Sequence, residues 1–308
     1  MGGETMNIDE LVKIVGNELK EDAKLNYLYS ITLVFDVKSC IRIGTGGAKR
    51  EAFLPVLKIS YGEKYCPVIP ESSWRGALRK IGEIVAKSSI KQPKDFKEKI
   101  LLSHYEPEEG PIEHLIVKQI KEENEKNIEK LAEYDIVERF VPTREEAKNA
   151  LEPMITYLCP ICRLWGGPGT RSRIILEDTI LQEYKPYTRT HVGINRSTRT
   201  REEGQLYTPE YVYIKQLTLH LTVYNIKPKT IEAKILAGTL NWLTKLGLSI
   251  GSSKSRGVGH LTLNNEKSHA YIAEFNNITS PHKLIQTIVD ITSTCEKIPL
   301  NKLIDYLK

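Results

Sequence analysis

Hydrophobic and polar positions alternate from Tyr27 to Ile43 (YLYSITLVFDVKSCIRI), which predicts one long strand rich in β-branched and aromatic residues. Gly44-Thr45-Gly46-Gly47 ends it. Pro67-Val-Ile-Pro70 predicts extended chain, because the residue before each proline is pushed out of the helical region. A helix follows from Glu71-Ser-Ser-Trp-Arg-Gly-Ala-Leu-Arg79 to about Lys87, with Ser72 or Ser73 as its expected N-cap. From 89 to 158 Glu and Lys intermix with little β character, and stretches such as Glu113 to Arg139 read as helical. Ile174-Ile-Leu176 is strand-like, Tyr184 to Tyr213 reads as a two-stranded ribbon with a basic end, and Lys215 to Ile226 alternates again. Thr230 to Leu246 has helical spacing, and Val258 to Leu263 alternates. Residues 1–24 carry one amphipathic pattern (Ile8, Leu11, Val12, Val15, Leu19), and Glu266 to Lys308 reads as a helical appendage with Leu284, Ile285, Ile288, Val289 and Ile291.

With the insertions set aside, the order is strand, helix, strands, helix, strand. That is the α+β, ferredoxin-like split βαβ plan, which RNA-recognition domains share. The 308 residues are enough for a substantial core without disulfides. Five cysteines, an odd number, and no secretory leader pattern point to a reducing, cytoplasmic setting. No apolar run approaches the roughly 18 residues of a membrane span. The net charge of +5 is modest, so the position of the cations matters more than their sum. They gather between Arg163 and Arg201, after a glutamate-rich stretch from Glu106 to Glu152.

The densest chemical signal is Gly247 to His260 (GLSIGSSKSRGVGH), in which glycines, serines, Lys254 and Arg256 lie between a predicted helix and a predicted strand. Glycines allow a backbone to approach an anion, and N–H groups, hydroxyls and cations donate to it. Mononucleotide loops run from strand to helix, and this one runs from helix to strand without GxxxxGK[ST] or GxGxxG, which argues against a nucleotide-dependent enzyme. A helix cap followed by a plain turn is the competing reading. The helix start at Ser72 and Ser73, with Arg75 and Arg79 one turn apart, is a second place where a phosphate would be favoured.

Ile43-Gly44-Thr45-Gly46-Gly47, the Pro67 to Arg79 segment, Cys162-Arg-Leu-Trp-Gly166, Arg171-Ser-Arg-Ile174, Thr190 to Arg196, Gly204-Gln-Leu-Tyr207 with Glu210, and Gly251 to Gly259 together resemble the RAMP superfamily of CRISPR systems. More narrowly they resemble the backbone subunits of type III effector complexes, Csm-like or Cmr-like. The resemblance implies a palm (25–88 with 163–263) bearing a thumb hairpin at about 184–213 and a helical lid (89–162), which the patterned segments 1–24 and 264–308 flank as an N-terminal arm and a C-terminal appendage. It implies a CRISPR RNA-binding subunit of an antiviral interference complex, with guide RNA, target RNA and other RAMP subunits as partners. Lys49, Arg50, Ser72, Ser73, Arg75, Arg79, Arg171, Arg173, Arg189, Arg196, Arg199, Arg201, Gly251, Ser252, Lys254, Ser255, Arg256 and Gly257 are then the expected RNA-binding residues.

Relatives that cut target RNA use an aspartate in the loop after the first strand. Residues 44–55 hold none here; Glu51 is the only carboxylate, and Asp36 lies earlier in the strand. A non-cleaving role is therefore the expectation. The alternative is a metal-dependent endoribonuclease cutting target RNA or precursor CRISPR RNA. Cys159-Pro-Ile-Cys162 has the thiolate spacing of half a zinc site, and His104 and His114 of the lid complete a Cys2His2 set for a structural zinc; two reduced packed cysteines are the plain reading. His191 and His260 lie beside the basic segments, and Trp74, Trp165 and Trp242 read as core or interface anchors.

Overall fold

The computed structural model describes residues 7–45, 53–105, 113–124, 128–195 and 197–308, with 123 and 201–205 described by backbone alone. It is a mixed α+β protein built on an antiparallel sheet. The strand Tyr27–Val37 lies in the middle and pairs along its length with Gln216–Tyr224, from Leu28 opposite Tyr224 to Asp36 opposite Gln216. Ile174–Leu176 flanks Gln216–Tyr224. On the other side His260–Leu263 pairs with Phe35 to Val37, and Leu248–Ser249 lies beyond it.

The alternation in Tyr27–Val37 places Tyr29, Ile31, Leu33 and Phe35 in the core, all fully buried. Each such burial contributes about 1.5–3 kcal/mol relative to exposure. Helices Glu71–Ser89 and Ile231–Leu246 pack together in this core: Phe35 stacks on Trp74 at 5.6 Å between ring centroids, and the helices come so close at Gly238 that a Cβ there would lie 2.4 Å from Val85.

The first strand is shorter than its hydrophobic pattern. At Lys38 the chain leaves the sheet, and Ile41 pairs instead with Val212 at the base of the ribbon. Ile41 and Ile43 stay buried, so the alternation persists although the hydrogen-bonding partner has changed. The ribbon has three parts: Lys185–Thr188 and His191–Ile194 both pair with the long strand Arg201–Tyr213.

Two other regions differ from expectation. Glu113 to Arg139 is not one helix; Ile116–Glu123 stops at Asn124, whose side chain folds back onto the Ile120 carbonyl, and Ile128–Glu133 and Asp135–Arg139 are 3-10 turns. Residues 264–308 are not only helical: His269–Glu274 pairs with Tyr27 to Thr32 and extends the edge begun by His260–Leu263. Its alanines gave little strand signal. The N-terminal helix Ile8–Asp22 buries Ile8, Leu11 and Val15. Among the described residues no helix is long and apolar enough to cross a membrane.

Candidate functional site

The glycine-rich loop folds back onto the end of the first strand. The Ser252 amide donates to the Arg42 carbonyl at 2.8 Å, Gly259 N–H to Cys40 at 2.7 Å, and Ile250 N–H to Gly259 at 3.0 Å. Two glycines make this clasp possible. At Gly251 (φ +83°) a Cβ would lie 2.3 Å from the Arg42 carbonyl oxygen, and at Gly259 (φ +80°) one would lie 2.0 Å from that of Ile250. These glycines thus give room to the protein's own backbone, while Gly257 faces open space.

The clasp brings the loop against the start of helix Glu71–Ser89. Gly44, Ser72, Ser73, Gly76, Gly251, Ser252 and Lys254 line one cleft of about 370 Å³. Pro70 is the N-cap, not either serine, and no side chain caps the helix, although Asp178 accepts the Glu71 N–H. Ser72 and Ser73 occupy the first turn, where amides and helix dipole favour an anion. Arg42 stands behind the loop: it donates to Ser252 Oγ at 2.8 Å, while its buried Nε has no partner. It escaped sequence reading because a lone arginine in a strand pattern carries no signal.

The arginines divide into two groups. Arg75 is tied to Glu71 and donates to the Trp165 carbonyl at 3.0 Å. Arg79 is buried; it donates to Gly166 at 2.7 Å and pairs with Glu83 at 3.1 Å. Arg173 is held by Asp22 and the Asn225 carbonyl. These three differ from the expectation of phosphate-facing cations, because backbone carbonyls and carboxylates already occupy their donors. Lys254, Ser255, Arg256, Gly257, Arg171, Arg189 and Arg199 are exposed. Lys49, Arg50, Glu51 and Arg196 lie outside the described residues, and Arg201 is described by backbone alone.

An aromatic ladder joins ribbon to loop. Tyr187 lies 6.4 Å from Tyr211, whose hydroxyl meets His191 Nε2 at 2.9 Å; His191 stacks on Tyr207 at 5.4 Å; and Arg256 lies 5.7 Å above Tyr207 and bonds its hydroxyl. Desolvation first, then the neighbouring Arg256 and Arg189, hold His191 below the usual imidazole value. His260 lies in the strand beside the loop. Asp36 is engaged by Gln216 and Asn264.

Away from the cleft, His104, His114, Cys159 and Cys162 are all buried, with one donor atom from each within 4.8 Å of the others. His104 and His114 face each other across the short hairpin His104–Tyr105 with Glu113–His114, and Cys159 and Cys162 sit at the start of helix Pro160–Trp165. His104 Nδ1 lies 3.7 Å from Cys159 Sγ and 3.6 Å from Cys162 Sγ, and 3.3 Å from His114 Nε2. Each imidazole has an outer carboxylate: Glu152 meets His114 Nδ1 at 3.0 Å, and Glu83 meets His104 Nε2 at 3.3 Å. Gly167 leaves room for the group, since a Cβ there would lie 2.9 Å from Cys162 Sγ.

Burial would raise the Cys159 thiol, but hydrogen bonds with Cys162, His104 and His114 hold it well below the usual value. Cys162 is pushed up, first by its hydrogen bond with Cys159. Burial works against a charged His114, yet Cys159 and Glu152 raise it to about 9. Two sulfurs and two nitrogens, with one thiolate already favoured and carboxylates behind the imidazoles, fit a metal ion.

No curated protein matches the chain. Comparison with protein families matches residues 34–262, well over half of its length and including both the cleft and the Cys2His2 group, to the RAMP superfamily. The strand, the clasped glycine loop, the helix start and the ribbon all fall within that span. The chain therefore belongs to the RAMP superfamily and is a CRISPR-associated protein with a role in RNA binding or processing.

Proposed function

We propose that this chain is a guide-RNA-binding backbone subunit of a type III CRISPR effector complex, and that it does not cut RNA. The observation that carries the reading is the convergence of Ser72, Ser73, Gly251, Ser252 and Lys254 on one open cleft, although the two segments lie far apart in sequence. Amides, hydroxyls and a cation suit a phosphate and do not distinguish bases, as a guide of variable sequence demands. The ribbon, with Arg189 and Arg199 exposed, supplies a thumb. The sheet order His260–Leu263, Tyr27–Val37, Gln216–Tyr224, Ile174–Leu176, with helices Glu71–Ser89 and Ile231–Leu246 in the connections, supports a ferredoxin-like palm.

The absence of aspartate between Gly44 and Pro55 supports the non-cleaving role. A structural zinc held by His104, His114, Cys159 and Cys162 would pin the hairpin of His104–Tyr105 and Glu113–His114 to the start of helix Pro160–Trp165; this is closed Cys2His2 ligation with no position left for substrate. The chemistry it would supply is cross-linking.

The test is equilibrium binding of the full chain to single-stranded RNAs of unrelated sequence over a salt series. Lys254→Ala with Arg256→Ala is expected to weaken all of them about tenfold and to lower the salt slope by about 1.4, two phosphate contacts at roughly 0.7 each. Unchanged affinity removes the loop from the interface. Cuts that require a divalent metal and vanish in Glu51→Ala defeat the non-cleaving role.

A further inference from the structure

A second cleft, about 520 Å³, lies beside the first and shares Gly76, Ala77 and Lys254 with it. Its size falls in the range of about 300–1,000 Å³ of small-ligand sites. Trp242 and Leu246, from the end of helix Ile231–Leu246, supply apolar surface; Lys80, Lys254 and His260 supply polar groups. Leu246 is 60 % exposed, so its apolar surface is open to the cleft. Trp242 is half-buried, whereas Trp74 and Trp165 are 0 % and 2 % exposed.

Gly76 adds an independent observation. Glycine in the first turns of a 19-residue helix weakens it relative to alanine, and most helical glycines of this kind make room for a packed neighbour. Here a Cβ would meet nothing within 4 Å. The space that Gly76 leaves lies on the boundary between the two clefts.

We propose that the second cleft receives one nucleobase of the RNA strand whose phosphate lies in the first, with the base against Trp242 and Leu246 and the ribose crossing at Gly76. The proposal rests on the RNA-binding reading and adds a base site to it. Contact with an aromatic face tolerates every base, in keeping with a variable guide, and the two lysines complement the flanking phosphates. The alternation of a cationic compartment with an apolar one matches the alternation of phosphate and base along a single strand.

The experiment compares a single-stranded RNA with an oligonucleotide of the same length and charge made abasic at several positions, both titrated into the full chain. Because the other two tryptophans are buried, a change in tryptophan fluorescence reports Trp242. Base-bearing RNA is expected to quench it and to bind about tenfold more tightly than the abasic strand. Trp242→Leu, and separately the exposed Leu246→Gln, bring the base-bearing RNA to the abasic affinity and leave the abasic affinity as it was. Equal affinity of the wild type for both strands with no fluorescence change overturns the base site and leaves the phosphate cleft intact. Failure of the wild type to bind either strand overturns both readings. Variants that lose self-association, measured by sedimentation, while still preferring base-bearing RNA assign the cleft to a protein side chain and overturn the proposal.

Discussion

The protein carries two groups of polar side chains that are organised in opposite ways. In the interior, His104, His114, Cys159 and Cys162 are buried, face one another and are backed by Glu83 and Glu152. At the loop, Ser72, Ser73, Gly251 and Lys254 surround open space, with Ser252 anchoring the loop to Arg42. The first group completes itself around one point, as a fastening must, because buried polar atoms without partners are costly. The second leaves donors for something long that passes through. The difference also sorts the basic residues: Arg75, Arg79 and Arg173 serve the interior, and Lys254 and Arg256 serve the surface.

The buried histidine and cysteine group is expected to be the more sensitive to change. Cys162→Ser is expected to remove one bound zinc per chain and to lower stability by about 5 kcal/mol, roughly 10 to 20 °C in melting temperature. Metal analysis of the purified protein and thermal melting with and without a chelator check it. A metal-free wild type that melts no lower after chelation would reduce the group to a hydrogen-bonded cluster.

The sequence made these two regions legible to different degrees. Cysteine spacing is local, so Cys159 and Cys162 were readable as a pair, and all four expected ligands meet. Glu83 and Glu152 carried no signal, since a helix surface abounds in glutamate and only the fold selects which one backs an imidazole. Helical spacing put Arg75 and Arg79 on one face but could not say that the face meets the Trp165 and Gly166 carbonyls. Periodicity reports burial and not partner, which is why the alternation through Ile43 concealed the change of sheet, and why the ribbon's existence was readable while its closure by Arg256 on Tyr207 was not.

The next largest effect lies where the helix Ile8–Asp22 meets Arg163. The Arg163 side chain, 4 % exposed, is paired with Glu18, Asp22 and Glu232. Arg163→Ala leaves those carboxylates without their common cation and is expected to cost about 3 to 5 kcal/mol in chemical denaturation. Burial works to raise Glu18, but Arg163 and Lys97 outweigh it and hold its pKa below the usual carboxylate value. A depressed folded-state pKa means that the contribution is present above the unfolded value, about 4.3, and is lost as pH falls through the folded one. Glu18→Gln should therefore be less stable than wild type at pH 7, and the gap should narrow below about pH 4. A constant gap from pH 7 to pH 3 would mean that the Glu18 charge contributes nothing.

The smallest effects separate the two kinds of glycine within the open region itself. Gly251 and Gly257 have similar backbone angles, φ +83° and +76°, so alanine at either incurs the same left-handed penalty, about 1 kcal/mol. Only at Gly251 does the added Cβ also strike the Arg42 carbonyl, at 2.3 Å; at Gly257 it meets nothing within 4 Å. Gly257→Ala should thus cost about that penalty and leave the clasp in place, with RNA affinity changed less than about threefold. Gly251→Ala must move the loop away from Arg42, which breaks the Ser252 hydrogen bonds and displaces Lys254 from the cleft. Its stability loss should exceed that of Gly257→Ala by about 1 to 3 kcal/mol, and its RNA affinity should approach that of the Lys254→Ala, Arg256→Ala double variant. If both alanine variants weaken RNA equally while melting alike, the loop reads the phosphate through glycine backbone rather than through a framework clasped to Arg42. The open region would then owe its selectivity to bare backbone, and the contrast with the self-completing buried group would lie in what each excludes rather than in how each is built.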